Sequence, residues 1–149
     1  MMYRSLSIVA FVSGIALASA SCVSPDDRTA QEWQILNGLW ATDPPKESGR
    51  RNELYFKDGK MLWESIRYEG GEPLIGHRKG YLVTLDTSRD PKHMTLKYPD
   101  PDDRDTRLAV YAVVGDTLRM AIGGDEQRPA SLDAKDALLL TLKKIEVSE

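Results

Sequence analysis

Asp58-Gly59 lies between two stretches of alternating apolar residues, and this dipeptide narrows the folding options more than any other feature of the chain. A two-residue hairpin loop needs positive φ at one or both central positions, which Asp-Gly supplies at little cost, and its twist matches that of paired strands. The spacing predicts strands over 53–57 and 60–68. In that register Phe56 faces Met61 and Leu54 faces Trp63, so four apolar side chains share one face. Gly115-Asp116 repeats the arrangement between 107–114 and 117–123. There Val113 faces Leu118, Tyr111 faces Met120 and Ala109 faces Ile122.

The remaining segments have the same period. Tyr81, Val83 and Leu85 alternate within 77–86, and Met94, Leu96 and Tyr98 within 93–98. Turn residues separate them: Gly70-Gly71-Glu72-Pro73, Asp90-Pro91 and the acidic run from Pro99 to Asp103. A longer connection from Gly123-Gly124 to Lys135 leads to a last strand over 138–146. With the strand that contains Trp40 there are eight. Eight short strands joined mostly by turns predict an all-β, eight-stranded antiparallel up-and-down barrel, which closes without an exposed edge. Thr29 and Glu32 have capping-box spacing, so a short N-terminal helical turn is expected over 29–36, with Trp33 and Leu36 on the side that closes the barrel bottom.

The start of the chain reads as an export signal. Arg4 precedes an apolar run from Leu6 to Leu17 and the small residues Ala18-Ser19-Ala20-Ser21. The run is about a dozen residues, against the roughly 20 a bilayer-spanning helix needs. Two cleavage sites compete. Ala18-Ser19-Ala20 would release a soluble protein, whereas Ser19-Ala20-Ser21-Cys22 resembles a lipobox that makes Cys22 the acylated first residue. Ser19 stands where lipoboxes usually carry an aliphatic residue, but Cys22 is the only cysteine in the chain and falls where lipidation needs one. The division expected is therefore a signal peptide over 1–21, a tether over 22–28 and a barrel domain over 29–149. The location expected is the cell envelope, with the membrane reached only through the lipid anchor at Cys22.

One cysteine permits no internal disulfide, so the exported domain must stand on its core. Removing 1–21 takes away Arg4 and no acidic residue, so the formal charge falls from −3 to −4. That mild acidity argues against a nucleic-acid partner. His77 and His93 have no metal-binding spacing. Asp100, Asp102, Asp103 and Asp105 fail as a calcium loop because Arg104 and Asp105 occupy the fifth and sixth positions, so the run reads as a solvated acidic turn. No nucleophile elbow, phosphate loop or dinucleotide fingerprint is present. The expectation is a noncatalytic protein with no metal and no cofactor. Phe56, Met61, Trp63, Tyr111 and Met120 are the residues placed to line a cavity for a small apolar molecule, or to fill it, since an eight-stranded barrel has room for either. The alternative is an interaction or inhibitor-like module that turns its polar loops, 43–52 and 123–137, toward an envelope protein.

Five ordered motifs resemble a known family, the lipocalin-like domain of exported planctomycete proteins. They are Leu36-Asn37-Gly38-Leu39-Trp40, Asp90-Pro91-Lys92-His93-Met94-Thr95-Leu96, the stretch from Tyr111 through Gly115-Asp116-Thr117-Leu118-Arg119-Met120, Arg128-Pro129, and Leu140-Thr141-Leu142-Lys143-Lys144. The chain departs from the pattern at Met120-Ala121, where many members carry a cysteine. The resemblance implies the barrel and export, and no activity comes with it. It also implies how the barrel closes: Gly38 turns the chain onto the first strand, Trp40 plugs one end, and Lys143, or its neighbour Lys144, lies across the indole.

Overall fold

The computed structural model describes residues 24–74 and 76–147. Ser24 opens helix α1 (Pro25–Leu36): its hydroxyl accepts from the Asp27 backbone N–H at 3.2 Å, Pro25 occupies the first turn, and Asp26 and Asp27 favour the positive end of the helix dipole. The helix thus begins earlier than the expected 29–36, and residues 25–28 belong to it, not to a tether. The remaining residues form strands β1 (Gly38–Ala41), β2 (Gly49–Lys57), β3 (Lys60–Glu69), β4 (Glu72–Pro73), β5 (His77–Asp86), β6 (Lys92–Lys97), β7 (Thr106–Val114), β8 (Thr117–Ile122) and β9 (Leu138–Ile145).

Every pairing is antiparallel. β1, β2, β3, β5, β6, β7, β8 and β9 each pair with the next, and β9 pairs back onto β1, which closes an eight-stranded barrel. The two-residue β4 is an appendage of β3. Both hairpins have the register that their turns predict, including Phe56 opposite Met61 and Tyr111 opposite Met120. Asp58 (φ 47°) and Gly59 (φ 81°) have the paired positive φ of that turn. β2 starts at Gly49, earlier than expected, so the polar loop before it shrinks to 42–48.

Alternation sends one set of side chains inward. Leu54, Phe56, Met61, Met94, Leu96, Tyr111, Leu118, Met120 and Leu142 are each at most 1% exposed and join Trp40 and Leu36 in one core. The middle of the barrel is filled with side chains. A second small core lies outside. Val110 and Ala121 face each other on outward positions of β7 and β8, yet both are buried, because the segment 123–137 folds back over that face. Arg128 fastens it, with Nη1 donating to the carbonyls of Met94 (2.8 Å) and Ala109 (2.5 Å) and Nη2 to Thr95 Oγ1 (3.0 Å).

Helix α1 covers one end. Trp33 lies 6.5 Å from Phe56, ring to ring, and Glu32, itself buried, receives Lys92 Nζ at 2.7 Å. Burial first, and the Glu32 charge second, hold the Tyr111 hydroxyl far above its ordinary pKa; it faces the Glu32 carboxylate without a well-formed hydrogen bond. Gly38 enters β1 at φ 122°, a conformation that strains any other residue.

Candidate functional site at the open end of the barrel

The inward alternation does not stop where the apolar residues stop. On β2 the positions before Leu54 and Phe56 are Arg50 and Asn52; on β3 Ser65 follows Met61 and Trp63; on β5 His77 and Lys79 precede Tyr81; on β7 Arg107 precedes Ala109 and Tyr111, with Asp105 just before the strand. The end away from helix α1 is therefore polar. Arg50, Trp63, Ser65, His77, Lys79, Tyr81, Asp105 and Arg107 line a cavity of about 430 Å³ there.

Asp105 organises it. Its carboxylate accepts from Lys79 Nζ (2.5 Å), the Tyr81 hydroxyl (3.2 Å) and Arg107 Nε (2.9 Å). Burial pushes the Asp105 pKa up, but the hydrogen bonds from Lys79 and Arg107 and their charges outweigh it and hold the carboxyl below its usual value. The bond to Asp105 raises Lys79, and burial followed by the Asp105 charge raises Tyr81. Lys79 also sits 4.3 Å from the centre of the Tyr98 ring, which itself meets Tyr81 edge to face. Trp63 is fixed by its indole N–H, which donates to Asn52 Oδ1 at 2.9 Å. Trp63, the buried Tyr81 beneath it and three cations are thus fixed around the cavity.

The expected binding residues divide between two layers. Phe56, Met61, Tyr111 and Met120 are brought together, but as packed members of the core. Trp63 alone reaches the cavity. His77 lines the mouth, whereas His93 lies on the outer face, where burial and the nearby Arg128 lower its pKa. Among the described residues no group of three or more His, Cys, Asp or Glu side chains is placed to hold a metal ion. Asp105 is not merely part of a solvated acidic turn. Asp100 and Asp103 accept backbone N–H bonds from Asp102 and Asp105 within the loop, and Asp103 also lies 3.6 Å from Lys79 Nζ.

At the closed end Trp40 is fully buried and its indole N–H donates to the Leu36 carbonyl at 2.8 Å. The residue across the indole is Lys144, not Lys143. Lys144 pairs with Trp40 in the β1–β9 register and its Nζ lies 5.3 Å from the ring centre. Lys143 points outward, to Thr117 Oγ1 at 2.5 Å and Asp116. Residues 1–21, expected as a signal peptide, and Cys22 lie outside the described residues.

A larger groove, about 580 Å³, crosses the outside of β2, β3 and β5 between Tyr55, Leu62, Gly80 and Leu82. Its charged residues, Lys57, Asp58 and Lys60, belong to the hairpin at the closed end and do not converge on a centre, so the mouth is the stronger candidate. No helix among the described residues is long and apolar enough to cross a membrane. Comparison with protein-family models, curated proteins and solved structures returns no match. Fold and site together define a small lipocalin-like barrel, filled at its centre and polar at its open end.

Proposed function

We propose that this chain is a noncatalytic, exported, lipocalin-like binding domain of the cell envelope, anchored through Cys22, that takes a small molecule at the open end of its barrel. One observation carries the reading: a cavity with two fixed aromatic side chains and several converging polar groups sits above a filled core. The five sequence motifs shared with exported lipocalin-like domains support export and the grouping. Native mass spectrometry of the protein purified from its own host tests the binding role. The expected result is a noncovalent adduct lost on denaturation; a clean ligand-free mass from every preparation overturns it.

A second reading, an interaction or inhibitor-like module, draws on the filled middle of the barrel. The loop 42–48 would serve it. The segment 123–137 is a poorer candidate, because Arg128 holds it against the barrel wall. Enrichment of one envelope protein by the intact chain, lost when 42–48 is replaced by a Gly-Ser loop, would favour this role.

A further inference from the structure

The charges at the mouth run against those of the whole protein. The chain carries a formal charge of −3, yet Arg50, Lys79 and Arg107 line one cavity in which Asp105 is the one lining carboxylate, and Asp103, 3.6 Å from Lys79 Nζ at its edge, still leaves the cations in excess. A cavity with a cationic surplus and low-dielectric walls concentrates anions. The donors are also unspent. Asp105 takes Arg107 only through Nε, and among the described residues nothing accepts from the two terminal nitrogens of that guanidinium. Arg50 is in no ion pair among the described residues, and its only side-chain bond is a long one, 3.4 Å to Ser65 Oγ. Lys79, by contrast, is committed to Asp105, Asp103 and the Tyr98 ring.

The two arginines thus offer free planar forks, the geometry that matches a carboxylate with two parallel hydrogen bonds. Below them the walls are flat. Trp63 is locked by Asn52, so its ring loses little freedom when something stacks on it, and Tyr81, 5% exposed and held by Asp105, forms the floor beneath. Ligand chemistry follows from that layering: an apolar face inward, an anionic group outward.

Resting on the reading that the open end binds a small molecule, we propose that its ligand is a small organic anion, a carboxylate on a flat apolar ring system. The ring lies against Trp63 and Tyr81, and the carboxylate is held by Arg50 and Arg107. Asp105 fixes the Arg107 guanidinium from behind and keeps Lys79 from collapsing across the site.

The test compares two probes of the same shape, 2-naphthoate and its neutral amide 2-naphthamide, by titration calorimetry and by the NMR shift of the Trp63 indole N–H. Hydrogen bonds to a charged group predict that the wild-type protein binds the carboxylate roughly ten-fold tighter than the amide. Arg50→Gln, an exposed position whose loss leaves the core intact, should abolish most of that preference, and Arg50→Lys should restore part of it. Arg119→Gln, on the outer wall beside Asp133, should leave it unchanged. Equal binding of both probes with a Trp63 shift overturns the anion proposal and leaves binding at the mouth standing. No Trp63 shift with either probe at millimolar concentration overturns the proposal too, and the mass spectrum of host-purified protein then decides the broader reading separately.

Discussion

Lys144 and Trp40 meet over the last turn of helix α1 and both satisfy it. Lys144 Nζ donates to the Ile35 carbonyl at 3.0 Å, the Trp40 indole N–H donates to the Leu36 carbonyl at 2.8 Å, and the ammonium lies 5.3 Å from the indole centre. The final carbonyls of a helix have no partners within it and carry the negative end of its dipole, so a cation and an N–H there do the work of a cap. The barrel and its lid are joined by this contact. Lys144→Ala should therefore cost about 1–2 kcal/mol, from the lost cation–π contact and one hydrogen bond. Lys143→Ala, whose side chain points outward, should change stability by less than about 0.5 kcal/mol. Urea unfolding of the two variants checks the contrast, and equal losses would refute the assignment.

The choice between these two lysines was legible in β9. Leu140 and Leu142 point inward, and strict alternation carries 144 inward after them. The same rule explains why the eight strands and both hairpin registers could be read from the sequence while the mouth could not. Leu54, Phe56, Met61 and Trp63 announce an inner face because they are apolar. Arg50, Asn52, Ser65, His77 and Lys79 continue that face with residues that resemble any solvated surface. Only extending each strand's parity past its last apolar residue brings them together. Asp105 was hidden differently, within an acidic run that reads as a turn. Ser24-Pro25-Asp26-Asp27 is ambiguous, since Ser, Pro and Asp favour turns and helix starts alike.

Asp105 makes the stability of the mouth depend on pH. Its carboxyl is held below the usual value in the folded protein, so the stability it contributes is present above the ordinary carboxylate range near 4 and is lost as pH falls through the folded value. The stability gap between wild type and Asp105→Asn should then be largest near neutral pH and close toward pH 2. Thermal unfolding of both proteins across that range tests it. A gap that widens with acid would mean that Asp105 is not held by Lys79 and Arg107.

Arg128 closes the outer core, and its loss should be felt locally. Arg128→Ala leaves the carbonyls of Met94 and Ala109 without its guanidinium, at about 1–3 kcal/mol. Limited proteolysis should show new cuts within 123–137 while the rest of the barrel stays resistant. Cleavage at the wild-type rate would show that the segment is held down by something else.

Anchoring through Cys22 predicts a covalent label. Cells fed a clickable fatty acid should yield labelled wild-type protein in the membrane fraction and unlabelled Cys22→Ala protein. One acyl chain binds a membrane only marginally, so the stable anchoring expected here needs two or more chains. Equal labelling of both proteins, or of neither, would refute lipidation at Cys22 and favour release after Ala20.

The filled middle can be tested by emptying it. Met120 is 1% exposed and faces Tyr111 across the β7–β8 pair. Met120→Ala should cost about 2–5 kcal/mol, part of it for the cavity left where the side chain does not collapse. An apolar cavity of that kind stays dry and admits small apolar guests. Xenon under pressure should therefore shift core methyl signals in Met120→Ala and leave those of the wild type unmoved. If the wild-type core takes xenon equally well, the apolar site formed by Phe56, Met61, Tyr111 and Met120 is hollow, and the ligand-binding part of the barrel extends below the mouth.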